Sequence, residues 1–121
     1  PLAICDTGHN IGGMQYIVGQ LASTPHERLH FVIGMVNDKD IDSVLGILPK
    51  DAEYYFTQAS VQRALSAESL AIKAGKVGLK GVVITDVKEA YRKARQNATK
   101  DDLIFVGGST FVVADLLKTD F

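Results

Sequence analysis

The sequence predicts an α/β fold, a three-layer αβα Rossmann-like sandwich built on a mostly parallel sheet. Three observations predict it. Short apolar runs alternate along the whole chain with stretches whose apolar residues recur at helical spacing. The runs are continuous rather than interleaved with polar residues, which marks strands covered on both faces by helices. Strands alternating with helices connect through right-handed crossovers, which leaves the strands parallel. With 121 residues, 46% of them apolar and 22% charged, the chain is the size of one domain and apolar enough to build a core. Residues 1–121 are therefore expected to form a single domain.

The elements follow in order. Leu2 to Cys5 reads as a buried strand, and Ile11, Met14, Ile17, Val18 and Leu21 form the apolar stripe of a first helix capped by Asn10. Ser23-Thr24-Pro25 closes that unit, and Leu29 to Met35 gives a second buried strand. Ile41, Val44, Leu45 and Leu48 fall at i, i+3, i+4 and i+7, a short helix that Pro49 terminates. Ala52 to Thr57, with Tyr54, Tyr55 and Phe56, reads as a third strand, and Gln58 to Leu65 as an irregular loop carrying Arg63. Ser66 caps a helix with Ala67, Leu70, Ala71 and Ala74 inward, ended by Gly75. Gly81 to Ile84 is a short fourth strand. Asp86 and Glu89 then make a capping-box-like pair for a helix with Val87, Ala90, Tyr91 and Ala94 inward. Its basic face of Lys88, Arg92, Lys93 and Arg95 reads as solvated. Leu103 to Val106 is the last strand, and Gly107-Gly108-Ser109 leads into a helix with Val112, Val113, Leu116 and Leu117 inward.

Composition also excludes function classes. The formal net charge is -1, and Lys and Arg are spread among acids without a sustained basic stripe, so the chain carries no nucleic-acid footprint. No apolar run approaches the roughly 20 residues of a membrane helix, and the start lacks the order of a signal peptide. Cys5 is the one cysteine, which excludes an intramolecular disulfide; at a strand end it reads as a small buried apolar residue. These features point to a cytoplasmic protein with neither nucleic acid nor membrane as partner. The chain begins at Pro1, where a strand is starting, and reads as a fragment cut at a domain boundary.

In an open parallel sheet, ligand sites lie just beyond the carboxyl ends of the strands. Three such turns carry polar residues: Asp6 to Asn10, Asn37 to Asp40, and Gly107 to Ser109. Read singly, Asp6, Asn10, Asp40 and Ser109 serve as well for helix caps and turns. His9 serves as well for a capping or core histidine, and Lys39, between Asp38 and Asp40, for a solvated charge cluster. Asp6 stands out because a carboxylate at the end of a buried strand must be paired. Ser109, after two glycines at a helix start, combines a hydroxyl with backbone N–H groups suited to an anion. Neither G-x-G-x-x-G nor the G-x-x-x-x-G-K-[ST] phosphate loop is present, and no residues are assigned to a metal.

Asp6-Thr7-Gly8-His9-Asn10 after an apolar strand resembles the Asp-Gly-Ala-His-Asn signature that opens the C-terminal domain of folylpolyglutamate synthases, relatives of the Mur ligases. Two further blocks agree in order, Val32 to Asp40 and Val106 to Val113, so the resemblance spans nearly the whole chain. Thr7 stands where the family more often has glycine and Ile11 where it often has proline; neither change removes a charged or hydrogen-bonding group. The resemblance implies the glutamate ligase domain of an ATP-dependent folylpolyglutamate or dihydrofolate synthase. Such an enzyme adds L-glutamate to a folate or pteroate carboxylate through an acyl phosphate. It implies that Asp6, His9 and Asn10 bind ATP, that Lys39 and His9 are catalytic, and that Lys39, Ser109 and Phe111 meet the glutamate. It implies as well that the phosphate loop and the main Mg2+ ligands belong to an N-terminal ATPase domain outside this chain. That domain and a folate or dihydropteroate substrate are the implied partners, and this domain alone is expected to be inactive. Alternatives are a stand-alone nucleotide- or small-ligand-binding α/β module and a Mur ligase acting on cell-wall precursors.

Overall fold

The computed structural model describes residues 1–37 and 40–118. Five strands, β1 (Leu2–Cys5), β2 (Leu29–Ile33), β3 (Glu53–Phe56), β4 (Gly81–Val83) and β5 (Leu103–Gly107), alternate with five helices. The helices are α1 (Ile11–Ser23), α2 (Ile41–Gly46), α3 (Ala67–Lys76), α4 (Val87–Asn97) and α5 (Thr110–Leu117). The sheet order is β1-β5-β2-β3-β4, and every pairing is parallel. The chain steps outward from β2 to β4, and β5 then returns to insert between β1 and β2. A right-handed crossover in the reverse direction must run over the opposite face, and the core divides accordingly. Phe31, Ile33, Tyr54, Phe56 and Phe105 pack with residues of α1, α2 and α3 on one face. Val32, Tyr55, Ile104 and Val106 pack with residues of α4 and α5 on the other. The result is the three-layer sandwich that the alternation predicts.

β2 and β5 are buried at every residue, as their continuous apolar runs require. β1 is not: Leu2 is 57% exposed and Cys5 is exposed, because β1 pairs only with β5 at the rim of the sheet. An apolar run therefore overstated burial here. A strand at the rim has a neighbour on one side only, whatever its composition. β4, at the other rim, is likewise exposed along its length.

Helix ends follow local chemistry. Asn10 caps α1 by accepting from the Gly13 N–H at 2.8 Å. Asp86 accepts from the Glu89 N–H at 3.0 Å, but the Glu89 carboxylate pairs with Arg92 instead of returning to the cap, so the capping box is half formed. α3 runs through Gly75 and ends at Gly78, whose φ of 85° supplies the left-handed turn. The Leu79 N–H donates to the Ala74 carbonyl and the Gly78 N–H to the Gly75 carbonyl, with Leu79 buried. That is a Schellman end with its hydrophobic contact. Leu117, expected inward, is 69% exposed, since it closes the last turn of α5 beyond the reach of the sheet.

At the amino end of the sheet lies a polar cluster that no pattern in the sequence signals. His30 is fully buried on β2, with Nε2 2.9 Å from Asp102 Oδ2 and Nδ1 2.9 Å from the Tyr55 hydroxyl and 3.1 Å from Glu53 Oε2. Asn97 donates to the same hydroxyl at 3.2 Å, and Arg28 lies 3.1 Å from Glu53 and 3.5 Å from Asp102. Asp102 further accepts from the backbone N–H groups of Arg28 and Thr99. Burial pushes the Asp102 carboxyl up, but hydrogen bonds from His30, Thr99 and the Arg28 backbone outweigh it and hold it well below its ordinary value of 3.8.

A carboxyl held low in the folded state contributes stability that is fully present above its unfolded value and is lost as pH falls through the folded one. Asp102→Ala is expected to cost roughly 3 to 5 kcal/mol at neutral pH, because it strands buried polar partners. The gap to wild type should narrow as pH falls below about 4. Urea denaturation of both proteins across that range checks it; a gap independent of pH would remove the charge from the account.

Candidate functional site

β5 lies between β1 and β2, yet the helices that follow β1 and β2 pack on the face opposite α5. Neighbouring strands whose chains leave toward opposite faces open a crevice at their carboxyl ends. There the structure has a cavity of about 130 Å³ lined by His9, Val36, Arg63, Ser109, Thr110 and Phe111. Four segments contribute: the turn after β1 brings His9, the turn after β2 Val36, the loop after β3 Arg63, and the start of α5 the rest. A larger cavity, about 480 Å³, opens between the ends of α1 and α2. Its lining precedes β2 and β3 in the chain, so it lies at the amino end, away from every strand-end turn. Topology, not size, selects the smaller one.

Glycine makes the convergence possible. Gly108 has φ of 97°, and a Cβ there would stand 2.5 Å from the Gly34 carbonyl oxygen. A Cβ on Gly34 would in turn stand 2.9 Å from the Thr57 carbonyl oxygen. The backbones leaving β5, β2 and β3 are thus stacked without intervening side chains. Ser109, 2% exposed, caps α5 by accepting from the Phe111 N–H at 3.0 Å, which leaves its own O–H to donate. Above the sheet, Val36 and Ala64 form an antiparallel bridge. The Asn37 N–H donates to the Arg63 carbonyl at 2.8 Å, and the Leu65 N–H to the Met35 carbonyl at 2.8 Å. Two loops are laced together in this way, and they carry the Arg63 guanidinium to the cavity. His9 Nδ1 is 3.4 Å from the Thr7 carbonyl, a contact that suits an Nδ1–H donor and keeps Nε2 as an acceptor in the neutral ring.

Of the residues singled out in the sequence, His9, Ser109 and Phe111 line this one cavity, and Asp6 and Asn10 do not. Asp6 is not the end of a buried strand. It is exposed, its Oδ1 accepts from the Gly8 N–H at 2.8 Å, and the turn itself supplies the pairing. Asn10 is engaged as the α1 cap. Lys39, with Asp38, lies outside the described residues. Among the described residues no three His, Cys, Asp or Glu side chains are grouped to hold a metal ion.

Arg63 was legible only as a loop residue. The rule that singled out the turns after β1, β2 and β5 applies equally to the loop after β3, and a guanidinium there is the natural complement of a carboxylate. Strand-end turns here gather a guanidinium, a hydroxyl and an imidazole around a small cavity of an α/β domain, a donor set whose chemistry suits a compact anion. The chain belongs to the Mur ligase, glutamate ligase domain family, whose model matches residues 1–110. It is 32% identical over 116 residues to a probable bifunctional folylpolyglutamate synthase/dihydropteroate synthase of Halobacterium salinarum, covering 95% of this chain and 14% of that protein. The bifunctional folylpolyglutamate synthase/dihydrofolate synthase of Yersinia pestis CO92 superposes with a TM-score of 0.84 at 33% identity, over 97% of this chain and 28% of that one. A bifunctional folylpolyglutamate synthase/dihydrofolate synthase with Mn, AMPPNP and L-glutamate bound superposes with a TM-score of 0.82 at 32% identity, over 94% of this chain and 28% of that one. The chain thus spans less than a third of the length of the relatives it matches.

The glycine stack yields a paired prediction. Gly108→Ala should lower stability by at least about 2 kcal/mol, from the left-handed backbone together with the collision with Gly34. Gly19→Ala, inside α1 with nothing within 4 Å of the new methyl, should raise stability by roughly 0.5 to 1 kcal/mol. Chemical denaturation of the two variants checks both signs.

Proposed function

We propose that this chain is the C-terminal, glutamate-binding domain of an ATP-dependent folylpolyglutamate or dihydrofolate synthase, working with an N-terminal ATPase domain that carries the phosphate loop. The observation that supports this reading most is the single cavity where Arg63, Ser109, His9 and Phe111 converge. Its volume of about 130 Å³ is well short of the roughly 300 Å³ where cofactor-sized sites begin, so it suits an amino acid better than a nucleotide. The Arg63 fork matches a carboxylate bidentately, the Ser109 hydroxyl adds a second donor, and Val36 and Phe111 cover methylene groups. Lys39, assigned by the family resemblance, adds a point charge near the amine that attacks the activated carboxylate.

In the whole enzyme, a folate or dihydropteroate carboxylate is activated as an acyl phosphate at the expense of ATP, and the glutamate amine displaces the phosphate. Closure of this domain over its partner keeps water from the acyl phosphate. Asp6, exposed at the rim, is the acceptor for ribose hydroxyls, with His9 and Asn10 in the same turn beside the nucleotide. The relative holding AMPPNP, Mn and L-glutamate together supports a shared centre for nucleotide and amino acid. The divalent cation, Mg2+ in this reading, takes its main ligands from the partner domain. None of the described helices is long and apolar enough to cross a membrane, and a cytoplasmic biosynthetic role goes with this reading.

In the full-length enzyme, Arg63→Ala, Ser109→Ala and Lys39→Ala should each raise the KM for glutamate about ten- to a hundredfold, the worth of one charge-assisted contact, and leave that for ATP nearly unchanged. The Lys39 and Ser109 substitutions should combine non-additively, since they share one ligand group. Steady-state kinetics with each substrate varied checks this, and an unaltered glutamate requirement in all three variants would overturn the assignment.

Asp6→Ala should do the converse, weakening ATP about ten- to a hundredfold and glutamate much less. Direct nucleotide titration of the folded variant checks it; unchanged affinity would remove Asp6 from the site.

A further inference from the structure

Two of the cavity's walls approach from distant parts of the chain. One is the start of α5, from the Ser109 cap to Phe111; the other is the loop after β3 that carries Arg63. Asp115, a turn and a half along α5 from the cap, reaches back to that loop. Its Oδ2 accepts from the Ser60 N–H at 2.6 Å and its Oδ1 from the Ser60 hydroxyl at 2.9 Å. Both carboxylate oxygens are engaged by one residue, a two-point, charge-assisted contact that fixes direction as well as distance. Ser60 stands three positions before Arg63. The chain is tightened around Arg63 by the Ala64 N–H donating to the Val61 carbonyl at 3.1 Å, and the Arg63 carbonyl is laced to the Asn37 N–H. The helix that presents Ser109 and the loop that presents Arg63 are therefore joined by a clasp outside the cavity itself.

We propose that Asp115 is a positioning residue: the Asp115–Ser60 clasp fixes the span between Arg63 and the start of α5, and with it the length of amino acid the site accepts. This rests on the reading that the cavity holds the amino-acid substrate. Asp115 and Ser60 do not line that cavity, and the segments they join, α5 and the loop after β3, are not the Asp6 to Asn10 turn assigned above to ATP, so their effect falls on the amino acid and not on ATP. A rigid span discriminates against a chain one methylene too short or too long, a difference that sites of this kind resolve by about 10- to 200-fold.

The test uses the full-length enzyme with glutamate, aspartate (one methylene shorter) and 2-aminoadipate (one longer). The readout is the ratio of kcat/KM for glutamate to that for each competitor. Loss of folded protein scales all three rates alike, so a clasp that only stabilised the fold would leave the ratios unchanged. Asp115→Ala should lower at least one ratio by about fivefold or more, with the KM for ATP within about twofold of wild type. Ser60→Ala, which keeps the backbone N–H contact and loses the hydroxyl one, should lower it less. It carries the same test if Asp115→Ala is poorly folded. Unchanged ratios in both variants, with Arg63→Lys shifting them, would overturn the clasp and leave the site standing. Unchanged ratios and glutamate KM in Arg63→Lys as well would overturn the clasp together with the reading beneath it.

Discussion

The contact on which the rest depends is the close passage of the Gly108 backbone over Gly34, where β5 ends between its two neighbours. β5 enters the sheet last and takes an interior position, buried at every residue and paired on both sides. Its exit must turn sharply over β2 toward the α5 face. A side chain at Gly108 would meet the Gly34 carbonyl, and one at Gly34 would meet both the Thr57 carbonyl and Val112. Three strand-end segments can close on one another only because neither position has a Cβ. Ser109 is buried as a result, and its cap on Phe111 sets where α5 starts. The cavity is a consequence of this passage.

The two ends of the sheet do opposite work. At the amino end, His30, Asp102, Tyr55, Glu53 and Arg28 satisfy one another across β2, β3 and the approach to β5. Every buried polar atom there has its partner, which is what makes buried charge tolerable. At the carboxyl end, some polar groups are left to be presented. The Arg63 side chain is exposed, and the Ser109 O–H stays available after the cap bond is made. Stability concentrated at one end frees the loops at the other to be shaped by ligand contacts.

Most of the fold was legible in the sequence, because apolar periodicity is a local property and each element carries its own. Strand order is not local, and that is where the reading went astray. Leu2 to Cys5 has the composition of an interior strand but lies at the rim, since β5, a hundred residues later, takes the place beside β2. Gly75 looked like a helix end, while the left-handed turn falls at Gly78, three residues on and set by the burial of Leu79. The His30–Asp102 contact joins residues 72 apart, beyond any window of pattern. The candidate cavity was legible in part: His9, Ser109 and Phe111 reach it together, because the strand-end rule needs only strand positions. Arg63 escaped because its loop has no motif, and its approach depends on backbone bonds to Asn37 and a carboxylate on α5. Nothing in the order of residues announces either.

The chemistry of the Gly107-Gly108-Ser109 turn also bears on which anion the proposed site would favour. Phosphate-binding turns work by leaving several successive backbone N–H groups pointed at one concavity. Here the Phe111 N–H is already taken by the Ser109 hydroxyl oxygen, and the Gly107 carbonyl accepts from the Gly34 N–H. One helix-start donor is thus closed on the turn itself. In the reading proposed above, the side chains that meet the ligand are one hydroxyl donor, a guanidinium fork and an imidazole around a space of about 130 Å³. A triphosphate needs many donors and a wide berth. A carboxylate with a short carbon chain needs two or three donors at a fixed span, which is what laced loops and a helix clasp are suited to hold.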